Sequence, residues 1–357
     1  MALTAGVAEA GAPTPSITFA PGLLPMSARP SMADLPEKDV KRQGGPWNGS
    51  PRECDPFNEA ELGVLRQIKA WMSDTPGRFE SIPADLLATF LRGYADLANW
   101  TDTVHAHLDA TLKWREADQL EAILDEPVPS QAARELFDMA VPGGVIGATA
   151  DGHTVVLETP GASSSLLNRL LDELDFDTFL RFQLFNKEVL RRYLASRAAE
   201  QGVRTYKVVN VVDLSGFGSA HLKSKLKDWF KRYAGCFGHH YPETMLRTYI
   251  IHAPMIFSAL WAAVRIFLHP VTAAKISVSS RGHEKLFKRD GIELRGATVR
   301  DSCVSYLEVL TRLRASHDLG ALARGYMPPE DAAAIDALTI EEGRARVDEG
   351  PQPDSAP

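Results

Sequence analysis

The stretch Val208-Val209-Asn210-Val211-Val212-Asp213-Leu214 decides the fold. Its apolar residues run almost without a break, the texture of a strand buried on both faces of a sheet. A regular rhythm follows it. Residues 219–234 read as a helix, 246–252 as a strand, 255–268 as a helix and 274–279 as a strand. Strands separated by helix-length segments call for a largely parallel sheet, because a parallel neighbour is reached only by a crossover.

Upstream, Thr154-Val155-Val156-Leu157 reads as another strand, preceded by the turn signals Gly143-Gly144 and Asp151-Gly152. Leu166 to Arg197 reads as one helix or two. Before Pro127 and Pro129 the texture is helical throughout. Phe57, Leu62, Leu65, Ile68 and Met72 recur at three- to five-residue spacing until Asp74-Thr75-Pro76-Gly77 breaks the pattern. Pro83 opens a second helix with Leu86, Leu87, Phe90, Leu91 and Tyr94 on one face, and Asn99 stands where a cap would precede a third carrying Trp100, Val104, Leu108 and Leu112. Residues 298–318, with Val299, Val304, Leu307, Leu310 and Leu313, read as a helix packed outside the core. The expected class is therefore α/β: an all-helical N-terminal lobe (53–125), a mostly parallel sheet with crossover helices (126–296) and a helical C-terminal extension (297–327). Residues 1–52 and 328–357, rich in Pro, Gly, Ala and acidic side chains without periodicity, read as disordered tails.

A chain of 357 residues that is 45% hydrophobic suits one large domain or two smaller ones. Its net charge of -7, from 39 basic and 46 acidic residues, speaks against a nucleic-acid partner. Cys54, Cys236 and Cys303 are odd in number and widely spaced, which suggests neither a disulfide framework nor a zinc site and fits a reducing, cytoplasmic setting. No run approaches the ~18 to 20 apolar residues of a spanning helix, so any membrane contact should be peripheral. The first thirty residues carry a single Arg. That favours a disordered tail over a transit peptide, with organelle targeting left open.

The segment from His252 to Pro270 has one charged residue, Arg265, between Pro254 and Pro270. A helix apolar nearly all round is ordinarily a core helix. The other reading makes it the wall or lid of a cavity, with Phe257, Trp261 and Phe267 meeting a ligand or a bilayer. Both stand on the sequence alone.

His240-Tyr241-Pro242-Glu243, then Tyr249-Ile250-Ile251-His252-Ala253-Pro254, then Phe267-Leu268-His269-Pro270-Val271-Thr272-Ala273-Ala274-Lys275-Ile276 resemble, in order and spacing, the CRAL-TRIO lipid-binding family and its secretory phosphatidylinositol/phosphatidylcholine transfer proteins. Leu86 to Arg92, Leu112-Lys113-Trp114-Arg115 and Val211-Val212-Asp213-Leu214-Ser215-Gly216 resemble the helical module and the central strand of that family. The resemblance spans roughly 57–290. It implies a helical lobe against an α/β lobe whose sheet floors a lipid cavity, with a gate of Met255, Ile256, Phe257, Leu260, Trp261, Val264, Phe267 and Leu268. It also implies a phospholipid ligand rather than a catalytic cofactor, transient membrane contact, a monomer and no enzymatic activity.

By the same resemblance, Glu243, Thr272 and Lys275 match part of the inositol-phosphate site of phosphatidylinositol-binding members. The chemistry suits a polyol phosphate: a lysine cation, a threonine hydroxyl, and a glutamate that accepts from ring hydroxyls or orients the lysine. A purely structural Glu243–Lys275 ion pair is the alternative. Two departures weaken the match. Tyr94 and Ala95 stand where such members carry basic residues, and Phe287-Lys288-Arg289-Asp290-Gly291 and Leu294-Arg295-Gly296 replace the usual ending. The expected function is phosphatidylinositol transfer, with possible phosphatidylcholine exchange. The alternative is a lipid-sensing or scaffold module for another hydrophobic ligand, such as a tocopherol or retinoid.

Competing constellations are thin. Asp213-Leu214-Ser215-Gly216-Phe217-Gly218 follows a buried strand, but His221 stands where a dinucleotide loop needs its third glycine. His239-His240 has no accompanying ligand set, and no serine sits in a G-x-S-x-G elbow.

Overall fold

The computed structural model describes residues 53–339, apart from 96, 126–129, 151, 161, 219–220, 222, 267, 269, 282 and 295; at 259, 263, 264, 270, 271 and 289 it describes the backbone alone. The expected N-terminal tail (1–52) and residues 340–357 lie outside the described residues. The helical lobe comprises α1 (Glu59–Trp71), α2 (Ala84–Gly93) and α3 (Trp100–Ala117). Asn58 and Glu61 form a reciprocal capping box on α1. Asn99 occupies the cap position of α3 without a side-chain cap bond, and its carbonyl accepts the first helical bond from Thr103 N at 3.0 Å. These helices bury Leu65, Ile68, Leu86, Phe90, Leu91, Val104 and Leu108 in one core.

The second lobe runs α4 (Gln131–Ala140), β1 (Gly143–Ala148), β2 (Thr154–Glu158), α5 (Ser164–Glu173), α6 (Phe176–Gln201), β3 (Val208–Asp213), α7 (Ser224–His240), β4 (Met245–Ile251), α8 (Phe257–Arg265), α9 (Pro270–Ala274) and β5 (Ile276–Val278). It continues through α10 (His283–Arg289), β6 (Glu293–Leu294), β7 (Val304–Ser305), α11 (Tyr306–Ser316), α12 (Leu319–Ala323) and α13 (Pro329–Asp336). The sheet order is β5-β4-β3-β2-β1-β6, with β7 also on β1. Strands β2 to β5 are parallel, and β1 pairs antiparallel with β2, β6 and β7. The chain is therefore α/β with a helical N-terminal lobe, and the parallel part of the sheet is the one that Val208–Leu214 announced. Within β3, Val208 joins the core shared with the helical lobe while Val209 and Val211 join a second core on the opposite face. Both faces of the strand are covered, which is why its apolar run does not alternate.

Several expectations change. The helix expected over 219–234 occupies Ser224–His240, and that expected over 255–268 spans Phe257–Arg265 before giving way to the short α9. Pro270 starts α9, as proline at a first helical position does. The helix expected over 298–318 begins at Tyr306, because Val304–Ser305 is drawn into the sheet and the Ser305 hydroxyl then caps α11 at Glu308 N. Leu307, expected on its apolar face, is exposed, while Val309, Leu310 and Leu313 are buried. The glycine-rich segment at 143–148 is a strand rather than a turn. A Cβ at Gly144 would collide with the Val304 carbonyl and one at Gly147 with that of Glu293, so glycine admits β7 and β6.

The expected disordered tail from 328 is corrected for 328–339. There α13 packs on the helical lobe, where Asp331 accepts from Phe57 N at 2.8 Å and pairs with Arg204 at 3.1 Å, and Ile335 and Leu338 are buried. A short, Ala-rich helix without a strong periodic face hides this docking from a composition reading.

Candidate head-group edge and gate

Three consecutive parallel strands bring one charged residue each to the same end of the sheet: Lys207 just before β3, Glu243 just before β4 and Lys275 just before β5. Lys275 Nζ lies 3.0 and 3.2 Å from the two Glu243 oxygens, and Lys207 Nζ lies 2.7 Å from one of them. Thr272 meets Lys275 through the backbone, its carbonyl accepting from Lys275 N at 3.1 Å. Glu243 and Lys275 are thus brought together, with Thr272 one turn away. Lys207 is the member that the sequence did not single out, since no motif marks it. Burial alone would raise the Glu243 carboxyl, yet the two ammonium groups hold it below its usual range.

Glu243 itself sits at φ 55, in the left-handed region. A non-glycine residue there costs about 1–2 kcal/mol, and a proline followed by a left-handed residue is the pattern of a type II turn. The turn is anchored behind. Tyr241 donates its hydroxyl to Glu188 at 2.8 Å, and Thr244 donates to the Tyr241 carbonyl at 3.2 Å. Glu188, fully buried on α6, also takes Arg115 of α3 at 3.0 and 3.1 Å, Arg191 at 2.8 Å, and Arg192. Gly93, the last residue of α2, lies so near that an added Cβ would come within 3.2 Å of Pro242. Tyr94 is buried and stacks on His107, so this corner of the helical lobe brings no cation from that position.

The neighbouring His240 is structural. His240 lies against Trp114 with ring centroids 3.8 Å apart and meets the Thr111 hydroxyl at 2.9 Å. Burial pushes its pKa down to about 3, so it is neutral. Among the described residues no group of His, Cys, Asp or Glu is placed to hold a metal ion.

From the opposite end of the sheet, where β4 ends at Ile251, the chain returns as α8, which lies over β3–β5. Phe257 is buried with Leu214, Phe217, Ile250 and Ala253, and Leu260, Trp261, Val212 and Ile276 pack against them. The Phe257 and Phe217 rings meet edge to face at 5.9 Å. Of the expected gate residues, Phe257 faces the sheet, Leu260, Trp261 and Leu268 are half-buried, and Ile256 and above all Met255 face outward. Met255 is 92% exposed and Ile266 76%, which leaves apolar side chains at both ends of the helix in solvent. Phe267 and the Val264 side chain lie outside the described residues. The entry to α8 is latched at His252, at φ 52, whose Nδ1 lies 2.7 Å from Asp213. Asp213 also takes Arg300 at 2.9 Å and Ser215 through both backbone and hydroxyl.

Residues 141–291 match the model of the CRAL/TRIO domain. The chain carries a CRAL/TRIO domain. Similar curated proteins include phosphatidylinositol/phosphatidylcholine transfer protein SFH9 of Arabidopsis thaliana, 28% identical over 170 residues that cover 47% of this chain and 28% of that protein. Protein real-time of Anopheles gambiae is 27% identical over 192 residues, 54% of this chain and 27% of that one. SEC14 cytosolic factor of Eremothecium gossypii is 25% identical over 258 residues, 71% of this chain and 78% of that protein. This chain thus spans under a third of the plant and insect relatives but most of the fungal one. The crystal structure of Sfh5 shares the fold, with a TM-score of 0.53 at 14% identity over 73% of this chain and 99% of that one. Among the described residues no helix is long and apolar enough to cross a membrane.

Proposed function

We propose that this CRAL/TRIO protein binds one phospholipid, phosphatidylinositol with phosphatidylcholine as exchange partner, and carries it between membranes as a monomer from the cytoplasm without chemistry on the lipid. The observation that carries the reading is the Glu243–Lys275 pair at the strand edge, together with an α8 whose flanking Met255 and Ile266 stand in solvent. In this reading α8 swings off the Leu214–Phe217–Ile250 cluster at a bilayer surface, and acyl chains take the space that Phe257 fills. The thermodynamics require a covered route. At ~0.8 kcal/mol per methylene, about 30 acyl methylenes forfeit on the order of 24 kcal/mol in water. Passage from bilayer to an apolar protein interior is nearly neutral for the same chains, so selection falls to the few polar head-group contacts. The relatives named for phosphatidylinositol/phosphatidylcholine transfer support the same lipid class. Mass spectrometry of organic extracts from the purified chain, followed by transfer from donor to acceptor vesicles, tests it. Extracts rich in phosphatidylinositol with measurable transfer are expected; a bound lipid that never moves between vesicles would make the protein a sensor or scaffold.

A further inference from the structure

The carboxylate of Glu243 has two lysines on it rather than one. Lys207 is the nearer, and both ammonium groups are largely shielded, with side chains 15% and 14% exposed. Three ionised groups of which two are cations leave a net positive charge in a partly dehydrated edge, where an uncompensated charge is costly and an incoming anion is correspondingly favoured. Among the described residues no other carboxylate lies within ion-pair distance of either ammonium group. Glu53 is turned to the backbone, accepting from Tyr206 N at 2.9 Å and Lys207 N at 2.6 Å, with its other oxygen 2.6 Å from His153. Lys187 does not join this edge as a free cation: its Nζ donates to the Thr244 hydroxyl at 3.2 Å, and Glu188, Asp85 and Glu158 act on its charge. The gap beside Lys187 and Thr244 has a volume of about 20 Å³, room for roughly one water and too small for a phosphate.

We propose that Lys207 is the residue that sets head-group charge selectivity: with Lys275 it takes the phosphate of a lipid whose head group carries net negative charge, and Glu243 holds the two ammonium groups apart until it arrives. This rests on the phospholipid reading above. A phosphatidylinositol head group brings one uncompensated negative charge to the net positive edge. A choline head group brings its own cation and gains little. Lys207 therefore discriminates between the two, and it leaves uptake of acyl chains untouched.

The test loads the full chain, K207Q, K207R and K275Q from vesicles of equal phosphatidylinositol and phosphatidylcholine, and quantifies both lipids in the re-isolated protein. Losing one charge-assisted contact should lower the phosphatidylinositol-to-phosphatidylcholine ratio of K207Q about tenfold, with K207R within about twofold and phosphatidylcholine loading unchanged in both. An unchanged ratio in K207Q beside a lowered one in K275Q overturns the role of Lys207 and leaves the lipid reading intact. Equal loss of both lipids in K207Q and K207R makes Lys207 a folding residue and also overturns it. If the unaltered chain takes up no phosphatidylinositol, the reading beneath the inference fails as well. Radiolabelled inorganic phosphate separates lipid phosphate from free phosphate. Retention by the lipid-free chain that K207Q loses, with no change in lipid ratio, would mark a free-phosphate site and refute the proposal.

Discussion

Tyr241 donates its hydroxyl to Glu188 across 2.8 Å, and this bond fastens the turn that carries Glu243 to a carboxylate shared by Arg115, Arg191 and Arg192. Among the described residues Glu188 is the sole anion in direct contact with all three guanidinium groups, and it is fully buried. Burial works to raise its carboxyl, but the arginines hold it well below the usual range. Glu188→Gln leaves buried cations short of their partner, which costs about 3–5 kcal/mol. Tyr241→Phe removes one hydrogen bond to a charged group, about 1.5–3 kcal/mol. Urea unfolding followed by circular dichroism measures both, and a Gln variant as stable as the parent would refute the account. The pH dependence has a definite sign. A depressed carboxyl stabilises the fold above its unfolded value near pH ~4.3 and loses that contribution as pH falls through its folded value. Glu188→Gln should therefore flatten the acid limb of stability against pH.

Lys275 and Thr272 belong to the rim of the same edge. Lys275→Ala with Thr272→Ala leaves the Lys207–Glu243 pair standing, and Thr272 keeps its backbone bond to residue 275. Because Glu243 keeps Lys207 as its partner, no buried charge is left alone, and stability should fall by no more than about 1.5–3 kcal/mol, the range of a hydrogen bond to a charged group. Phosphatidylinositol loading should drop about tenfold while phosphatidylcholine loading holds. Equal loss of both lipids would show that the pair only steadies the strands.

How much of this was readable beforehand follows from where each feature gets its signal. The parallel core was legible because β3 is apolar on both faces and the motif from His240 to Glu243 is contiguous. Lys207 carries no sequence signal, since its partner Glu243 lies 36 residues away and only strand register aligns the two with Lys275. Asp213 and His252 each belong to a motif, but their relationship depends on two strand ends meeting and is not written in either. Strand β1 was missed because the glycines that weaken its strand signal are the ones that let β6 and β7 approach. The helix at 329–336 was missed because it is held by Asp331 and a few apolar contacts rather than by a periodic face of its own.

Asp213 predicts a second acid-sensitive element. Burial alone would raise its carboxyl, but bonds from Ser215, His252 and Arg300 bring it down to about 2. Because the folded value lies below the unfolded one, its contribution is present above pH ~4 and lost as pH falls toward the folded value. Asp213→Asn should remove that part of the acid slope and release His252 at the entry to α8. Faster lipid exchange at neutral pH is then expected in vesicle assays. An exchange rate equal to that of the parent would mean that the latch does not restrain the helix.

The two ends of α8 make the most exposed prediction about membranes. Met255 and Ile266 are largely in solvent, so replacing either with Asp removes no packed side chain and should shift stability by no more than about 0.5 kcal/mol. Phe257→Asp, by contrast, places a charge among Leu214, Phe217 and Ile250 and should unfold the region. If the ends of α8 enter the bilayer, each Asp forfeits the transfer of an apolar side chain, about 1.5–3 kcal/mol. That is about tenfold or more in vesicle partition. Sedimentation with lipid vesicles measures partition and thermal unfolding controls for the fold. Undiminished partition in a Met255→Asp, Ile266→Asp double variant would remove α8 from the membrane contact, since no other change in that variant can compensate for two charges at its tips.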